Sequence, residues 1–354
     1  PLVGRIVDRH GPRRVIPVGG LVTALGFALA SQANNLPLFY IAYVIVGAGS
    51  AGMGIVPCSA VISNWFKRRR GAALGIMSAG MGAGGVVMAP IVAHLIVTFD
   101  WRTAYLAMAA IIAAVTIPLA LAVIRHRPAE KGLYPDGDAR ETAEPQEGMT
   151  GQIDTRGITL RQAAGTTAIW LIGVSFFVSG FSNTGALHAP VPFLADIGFP
   201  VATAATALGT LGLGSATGKV FFGWLCDRIP PKRASALGLL LQLAGVLILL
   251  AIRPDSPPAL IWAYALLLGF GLGSWLPTMS MLVSTTFGLA YYGSVFGVIA
   301  FVESVGTSIG PLFAGLMFDA TGTYYYAFVT FAALYAVAIP AILLVRHPRR
   351  HTPL

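Results

Sequence analysis

Pro1-Leu2-Val3-Gly4-Arg5-Ile6-Val7-Asp8-Arg9-His10-Gly11-Pro12-Arg13-Arg14 is a short charged turn that runs straight into a long apolar segment. It returns as Gly223-Trp224-Leu225-Cys226-Asp227-Arg228-Ile229-Pro230-Pro231-Lys232-Arg233, again leading into an apolar segment. Gly4 and Asp8 pair with Gly223 and Asp227. Tyr43, Gly47, Pro57 and Phe66 pair with Tyr264, Gly269, Pro277 and Phe287, and Gly71, Gly75 and Pro90 pair with Gly293, Gly297 and Pro311. Every offset lies between 219 and 222. Self-similarity at a nearly constant spacing means two copies of one structural unit.

Hydrophobic residues make up 56% and charged residues 10% of the 354, and mean hydropathy is +0.75. A soluble domain carries about a quarter charged residues, and no water-soluble fold of this length hides so much apolar surface. Runs of about 18 or more apolar residues recur along the chain, the length that crosses a hydrocarbon core about 30 Å thick. They are continuous and rich in Gly and Ala, where a transmembrane barrel needs short alternating strands. The chain reads as an all-α polytopic membrane protein.

Ten spans are expected, at 15–33, 38–63, 72–97, 103–124, 168–192, 201–225, 234–252, 259–284, 293–317 and 324–345. The long polar segment from Arg125 to about Arg161 reads as a solvated linker. It separates an N-terminal bundle, 1–124, from a C-terminal bundle, 166–354, with the linker taken as 125–165.

Charge assigns the sides. The net +9 sits in short loops, which is the positive-inside pattern and not a nucleic-acid surface. One set of loops carries Arg9, Arg13 and Arg14, then Lys67 to Arg70, Arg125 with Arg127 and Lys131, Arg228 with Lys232 and Arg233, and Arg346 with Arg349 and Arg350. The alternate loops are nearly neutral, and only Leu289 to Gly293 on the basic side lacks a cation. The linker and C-terminus are therefore expected in the cytoplasm, with the lipid bilayer as the principal surroundings.

The second copy has two spans ahead of its Asp-Arg turn and the first has none. Symmetry therefore predicts about 70 further residues and two helices ahead of Pro1, making twelve spans in six plus six. Cys58 and Cys226 have neither metal-ligand nor disulfide-framework spacing, and no cofactor or metal is expected.

Two six-helix halves, a basic central loop and a turn of the form G-x-x-x-D-R-x-G-x-R-R resemble the major facilitator superfamily. Gly4, Asp8, Arg9, Gly11, Arg13 and Arg14 match its signature turn, with Pro12 where a basic residue is more usual. The second copy is degenerate, with Pro230-Pro231 where the Gly would stand. Asn64-Trp65-Phe66 followed by Lys67 to Gly71 also looks like the family's turn before its fifth helix. The resemblance implies a fold of two pseudo-symmetric helical bundles, with ten of twelve helices present. It further implies a gating role for Gly4, Asp8, Arg9, Arg13, Asp227 and Arg228. Physically the turn offers an acid where helix N-termini and arginines converge, so dipole and ion pair both stabilise the aspartate. The alternative is a solvated charge with topological value only.

Within the superfamily, Ala186-Leu187-His188-Ala189-Pro190-Val191-Pro192 and Gly218-Lys219-Val220-Phe221-Phe222-Gly223 are similar to the bacterial monocarboxylate and oxalate/formate porter branch. The branch places a cation, usually Arg, shortly before the Gly of the second Asp-Arg turn, where it binds the substrate carboxylate. Here that position is Lys219, a point charge without the bidentate fork of Arg.

Ionisable groups inside spans are functional candidates because each costs at least about 2.5–3.5 kcal/mol at a helix centre. Lys219 lies eight residues before Asp227, roughly 12 Å deep. It serves a substrate anion or ion pair, or its long side chain snorkels to the surface. Glu303 falls mid-span. It carries a proton, pairs with a cation such as Lys219, or stays neutral and hydrogen-bonded between helices. His188 precedes two prolines that break its helix, a pointer to a binding site in transporters and equally a common place for a packed residue. Asn183, Tyr43 and Trp275 are candidate cavity liners with equally plain core readings, as is Ser274, and His94 is a weaker candidate. Gly-rich faces at Gly47 to Gly54, Gly75 to Gly85, Gly212 to Gly218 and Gly269 to Gly273 are expected to pack helix on helix. Gly80-Met81-Gly82-Ala83-Gly84-Gly85 mimics a nucleotide loop, but no strand precedes it.

The expectation is a secondary active transporter that moves a small organic anion, a mono- or dicarboxylate, by alternating access. Coupling is to protons or by anion exchange, in an inner membrane of bacterial type, and the transporter works as a monomer. An exporter of amphipathic drugs is the alternative in the same class, and a transporter-like sensor the alternative in another. No acid pair, metal spacing or nucleophile constellation lies within the spans, so an enzyme is not expected.

Overall fold

The structure is a computed structural model and describes residues 1–125, 128, 132–137 and 157–346. Arg127, Lys131, Glu141 to Glu147, Arg349 and Arg350, on which part of the linker and charge reading rests, lie outside the described residues. The side chains of His188 and Val201 do too.

The described chain is helical. Its elements are α1 (Leu2–His10), α2 (Pro12–Ser31), α3 (Leu36–Met53), α4 (Ile55–Trp65), α5 (Arg70–Thr98), α6 (Trp101–Ile111), α7 (Ile117–Val123) and α8 (Leu160–Ala164). They continue as α9 (Thr167–His188), α10 (Pro190–Asp196), α11 (Val201–Cys226), α12 (Pro231–Ala251), α13 (Ala259–Leu272), α14 (Trp275–Phe287), α15 (Tyr292–Thr321) and α16 (Tyr325–Leu343). Local chemistry sets many of the boundaries. Asn35 and Asp100 cap α3 and α6 by accepting from the N–H groups of Leu38 at 2.9 Å and Thr103 at 2.6 Å. Pro12 and Pro231 open α2 and α12, where a missing N–H is harmless.

Among the described residues nine helical segments are long and apolar enough to cross a membrane, with α3–α4, α6–α7 and α13–α14 each counting as one. The remaining expected span is α11, an unbroken helix of 26 residues, about 39 Å long. Its Gly, Thr and Lys219 dilute its hydropathy.

Four expected spans are interrupted. The span at 38–63 breaks at Gly54, between α3 and α4, and the span at 259–284 breaks at Gly273-Ser274, between α13 and α14. Gly54 and Gly273 are 219 positions apart, the offset of the repeat, so both copies carry the same break. The span at 103–124 passes through a π-helical turn, Ile112–Thr116, just before Pro118, whose ring cannot complete an ordinary α-turn. The span at 168–192 ends α9 at His188 and restarts as α10 at Pro190, as the prolines there predict.

Packing divides the chain into two compact units. One comprises Pro1–Arg68, Gly80–Ile158 and Gly288–Gly297; the other comprises Arg69–Ala79, Thr159–Phe287 and Val298–Leu354. In the first, α2 packs on α3, α6 and α7. Close approach is possible because a Cβ at Gly19 would lie 2.6 Å from the carbonyl carbon of Gly52. In the second, α11 and α12 pack on α13, and α16 on α9 and α12, around the fully buried Tyr264, Tyr335, Phe328 and Phe331. Glycine-rich packing therefore holds at Gly19, Gly49 and Gly52, and again at Gly214, Gly218, Gly269 and Gly273. It does not hold at Gly47, Gly80, Gly84, Gly85 and Gly212, where a Cβ would meet nothing among the described residues. Those positions are exposed, so the expected packing is not seen there among the described residues.

Large apolar side chains also point outward, as at Ile309, Leu312 and Leu316 along α15 and Leu240 and Leu247 along α12. In water such stripes would be an aggregation liability; against lipid tails they are the expected surface.

Candidate functional site

The two Asp-Arg turns meet the same kind of partner. Within the first unit, Asp8 lies near the end of α1 and grips the N-terminus of α15. Its Oδ1 accepts from the Gly293 N–H at 2.8 Å, and its Oδ2 accepts from the Ser294 N–H at 2.7 Å and from the Ser294 hydroxyl. Within the second unit, Asp227 follows the last residue of α11 and grips the N-terminus of α5. There Oδ1 accepts from the Gly71 N–H at 2.6 Å and Oδ2 from the Ala72 N–H at 2.8 Å. A carboxylate on the first, unpaired N–H groups of a helix also meets the positive end of its dipole. The partners obey the repeat, since Gly71 and Ala72 stand 222 positions before Gly293 and Ser294.

Glycine is needed at these contacts. A Cβ on Gly4 would run into the Gly293 carbonyl, and one on Gly293 would sit 2.7 Å from Asp8 Oδ1. Burial raises the Asp8 pKa above the ordinary carboxylate range, and the hydrogen bonds from the Ser294 hydroxyl, Ser294 N–H and Gly293 N–H pull the other way. Of the two supports expected for Asp8, the helix terminus is present. Arg9 and Arg13 stand exposed, and no ion pair to Asp8 occurs among the described residues. Arg228 stacks on Trp224, its guanidinium carbon 4.0 Å from the ring centre.

Lys219 and Glu303 both belong to the second unit. Lys219 is half-buried on α11, where the α13–α14 break at Gly273 abuts its backbone N–H. Its ammonium has no ion-pair partner among the described residues. Glu303, 9% exposed, does not join it. Its Oε1 instead accepts from the Thr307 hydroxyl, one turn along α15, at 2.8 Å. Thr184 of α9 donates to the carbonyls of Gly180 and Thr307 at 2.8 and 2.9 Å, tying α9 to α15 beside the carboxylate. The bond stays within α15, so it is neither the ion pair with Lys219 nor the hydrogen bond between helices.

Asn183 is 7% exposed and hydrogen-bonded at both its oxygen and its nitrogen. It accepts from the Tyr335 hydroxyl and donates to Ser179 Oγ at 3.2 Å. Its amide thus joins α9 to α16. His188 is the last residue of α9. Trp275 opens α14, and its indole N–H is buried with no partner among the described residues.

Tyr43 lies in the first unit, 43% exposed, with its hydroxyl 2.6 Å from that of Tyr105. Phe39 and Trp101 complete an aromatic cluster around them. Arg102 braces it by donating to the Ala33 carbonyl at 3.0 Å and Asn34 Oδ1 at 3.1 Å. The sequence reading missed Tyr105 and Trp101, although Trp101 and Tyr105 share the i, i+4 spacing of Phe39 and Tyr43. It also missed Asp136 of the linker, which accepts from the N–H groups of Lys67 and Arg68 at 3.1 and 2.9 Å. Among the described residues no His, Cys, Asp or Glu cluster could hold a metal.

Comparison with known proteins identifies relatives of the whole chain. Monocarboxylate transporter 13 of Bos taurus is 27% identical over 347 residues, covering 98% of this chain and 76% of the relative. Monocarboxylate transporter 12 of Rattus norvegicus is 27% identical over 359 residues, covering 97% and 73%. The crystal structure of the E. coli fucose:proton symporter superposes with a TM-score of 0.73 at 16% identity, covering 98% of this chain and 87% of that one. The human organic anion transporter MFSD10 gives 0.73 at 17% identity, covering 97% and 79%. The family model described as Major Facilitator Superfamily matches residues 1–311 and again 172–354. With paired helix-capping aspartates, a repeated helix break and membrane-length helices throughout, this chain belongs to the major facilitator superfamily of membrane transporters.

Proposed function

We propose that the chain transports a small organic anion, a mono- or dicarboxylate, by alternating access, with Lys219 as the cationic anchor. The observation that carries this reading is Lys219 itself. It is half-buried in a helix, about 12 Å along α11 from the Asp227 turn, and its ammonium has no ion pair among the described residues. A cation left in such a place needs an anion to offset its desolvation, and a carboxylate substrate supplies one. Relatives named monocarboxylate transporters support the same cargo class.

Glu303 serves the coupling step. A carboxyl group held by Thr307 in the same unit as Lys219 can carry a proton, which fits proton symport, while exchange of one anion for another needs Lys219 alone. Asp8 and Asp227 act as releasable clamps on the N-termini of α15 and α5. Tyr43 and His188 are proposed as further contacts for the cargo. The protein is placed in an inner membrane of bacterial type, with the linker and C-terminus cytoplasmic, and works as a monomer.

The test is uptake into proteoliposomes from a panel of radiolabelled mono- and dicarboxylates, with and without an inward proton gradient. Lys219→Gln is expected to abolish carboxylate uptake and Lys219→Arg to keep it. Unaltered uptake by Lys219→Gln refutes the anchor, and efflux of a hydrophobic cation without carboxylate uptake replaces the anion reading with a drug exporter.

A further inference from the structure

We propose that the second unit holds a single bound water at the α13–α14 break, bridging α9 and α14. The site is a small void lined by Ser175, Ser179, Ser235, Ser274, Trp275 and Thr278, with Phe176 and Leu239 as its apolar lining. Its volume, ≈ 10 Å³ for the centre of a water-sized sphere, is about that of one water site.

The walls have unmet hydrogen-bonding capacity. Ser175 is 2% exposed, and its Oγ has no partner among the described residues; nor has the buried Trp275 indole N–H. Ser179 Oγ accepts from Asn183, so its own O–H is free to donate, and the void is where an acceptor is missing. Leaving such groups dry costs about 1–3 kcal/mol each.

The chemistry selects the occupant. An indole N–H only donates, so the ligand must accept. That excludes Na⁺, which would face an N–H dipole in a site without any carboxylate. No Lys, Arg or His lines the void, so a buried chloride or carboxylate would go uncompensated there. Water accepts from Trp275 Nε1 and Ser179 Oγ and donates to Ser175 Oγ, within the two to four partners a buried water takes.

The position has a structural logic. Ser274 can approach α12 only because residue 238 is glycine, since a Cβ there would collide with the Ser274 hydroxyl. A polar seam therefore runs from Tyr335 through Asn183 and Ser179 to the point where the helix is interrupted. A water at its end joins α9 to α14 by bonds that re-form without side-chain rearrangement, which suits a break that must flex.

The test uses the full chain in lipid nanodiscs. A structure that resolves waters is expected to show one density peak within hydrogen-bond distance of Trp275 Nε1 and Ser175 Oγ. In ¹⁵N-tryptophan-labelled protein, the Trp275 indole proton should show cross-relaxation to a long-lived water. Ser175→Val, which fills the void with methyl groups, should abolish that signal. An empty void, an indole N–H bonded directly to a protein acceptor, or an unchanged water signal in Ser175→Val overturns the proposal.

Discussion

Asp227→Asn isolates what one clamp contributes, because the substitution keeps the shape and removes the charge. In the structure both carboxylate oxygens accept, one from the Gly71 N–H at 2.6 Å and one from the Ala72 N–H at 2.8 Å. An amide has a single acceptor oxygen, so Asn must turn its NH₂ towards one of the two N–H groups. At least one charge-assisted bond is lost, about 1.5–3 kcal/mol, and the neutral group also forgoes part of the helix-dipole attraction. At 1.36 kcal/mol per factor of ten, the first turn of α5 should open about 10- to 150-fold more often. Amide hydrogen exchange reads this directly. A peptide covering Arg69–Ala79 should lose protection at Gly71 and Ala72, while one covering Gly288–Gly297, whose Gly293 and Ser294 N–H groups bond Asp8, should not change. Unchanged exchange at Gly71 and Ala72 would refute the clamp, and equal loss in both peptides would mean that the variant loosens the whole protein.

Asp8 supplies the matching pH dependence. Burial is the first cause of its raised pKa, so the clasped form holds a proton more tightly than a free carboxylate does. That contribution is complete below the ordinary carboxylate pKa and is lost as pH rises through the raised one. Protection of the Gly293 and Ser294 amides, corrected for intrinsic exchange, should increase as the solution is acidified and be insensitive to pH in Asp8→Asn. Glycine packing predicts a contrast on one helix. Gly218→Ala drives a Cβ into the backbone of Phe270 and should lower thermal stability by about 1–3 kcal/mol, whereas Gly212→Ala meets nothing among the described residues and should leave the melting temperature unchanged or raised.

The legible features were those a bilayer or the backbone imposes locally. Hydrocarbon thickness demands apolar runs of a set length, so the ends of α2, α5 and α12 could be read to within a few residues. Proline chemistry is equally local, and Pro190 marked the end of α9. The internal repeat was visible because duplicated turns keep Gly, Asp and Pro where backbone geometry needs them. Interruptions at Gly54 and Gly273 were not foreseen, since an isolated glycine in a membrane helix packs, stays exposed or breaks according to its neighbours. Gly19, Gly80 and Gly273 exemplify the three outcomes.

Sequence by itself thus determined the class of the protein: how many spans, that they come in two copies, and that an acid sits at each equivalent turn. Tertiary structure decided what each polar group does. Asp8 finds its donors 285 and 286 residues away, Asn183 accepts from a tyrosine 152 residues away, and Glu303 bonds Thr307 and not Lys219. The physical reason is one of range. Hydrophobic length and helix propensity act over one or two turns and are written in consecutive residues. A hydrogen bond depends on atoms within about 3 Å, and only the packing of helices far apart in sequence brings those atoms together.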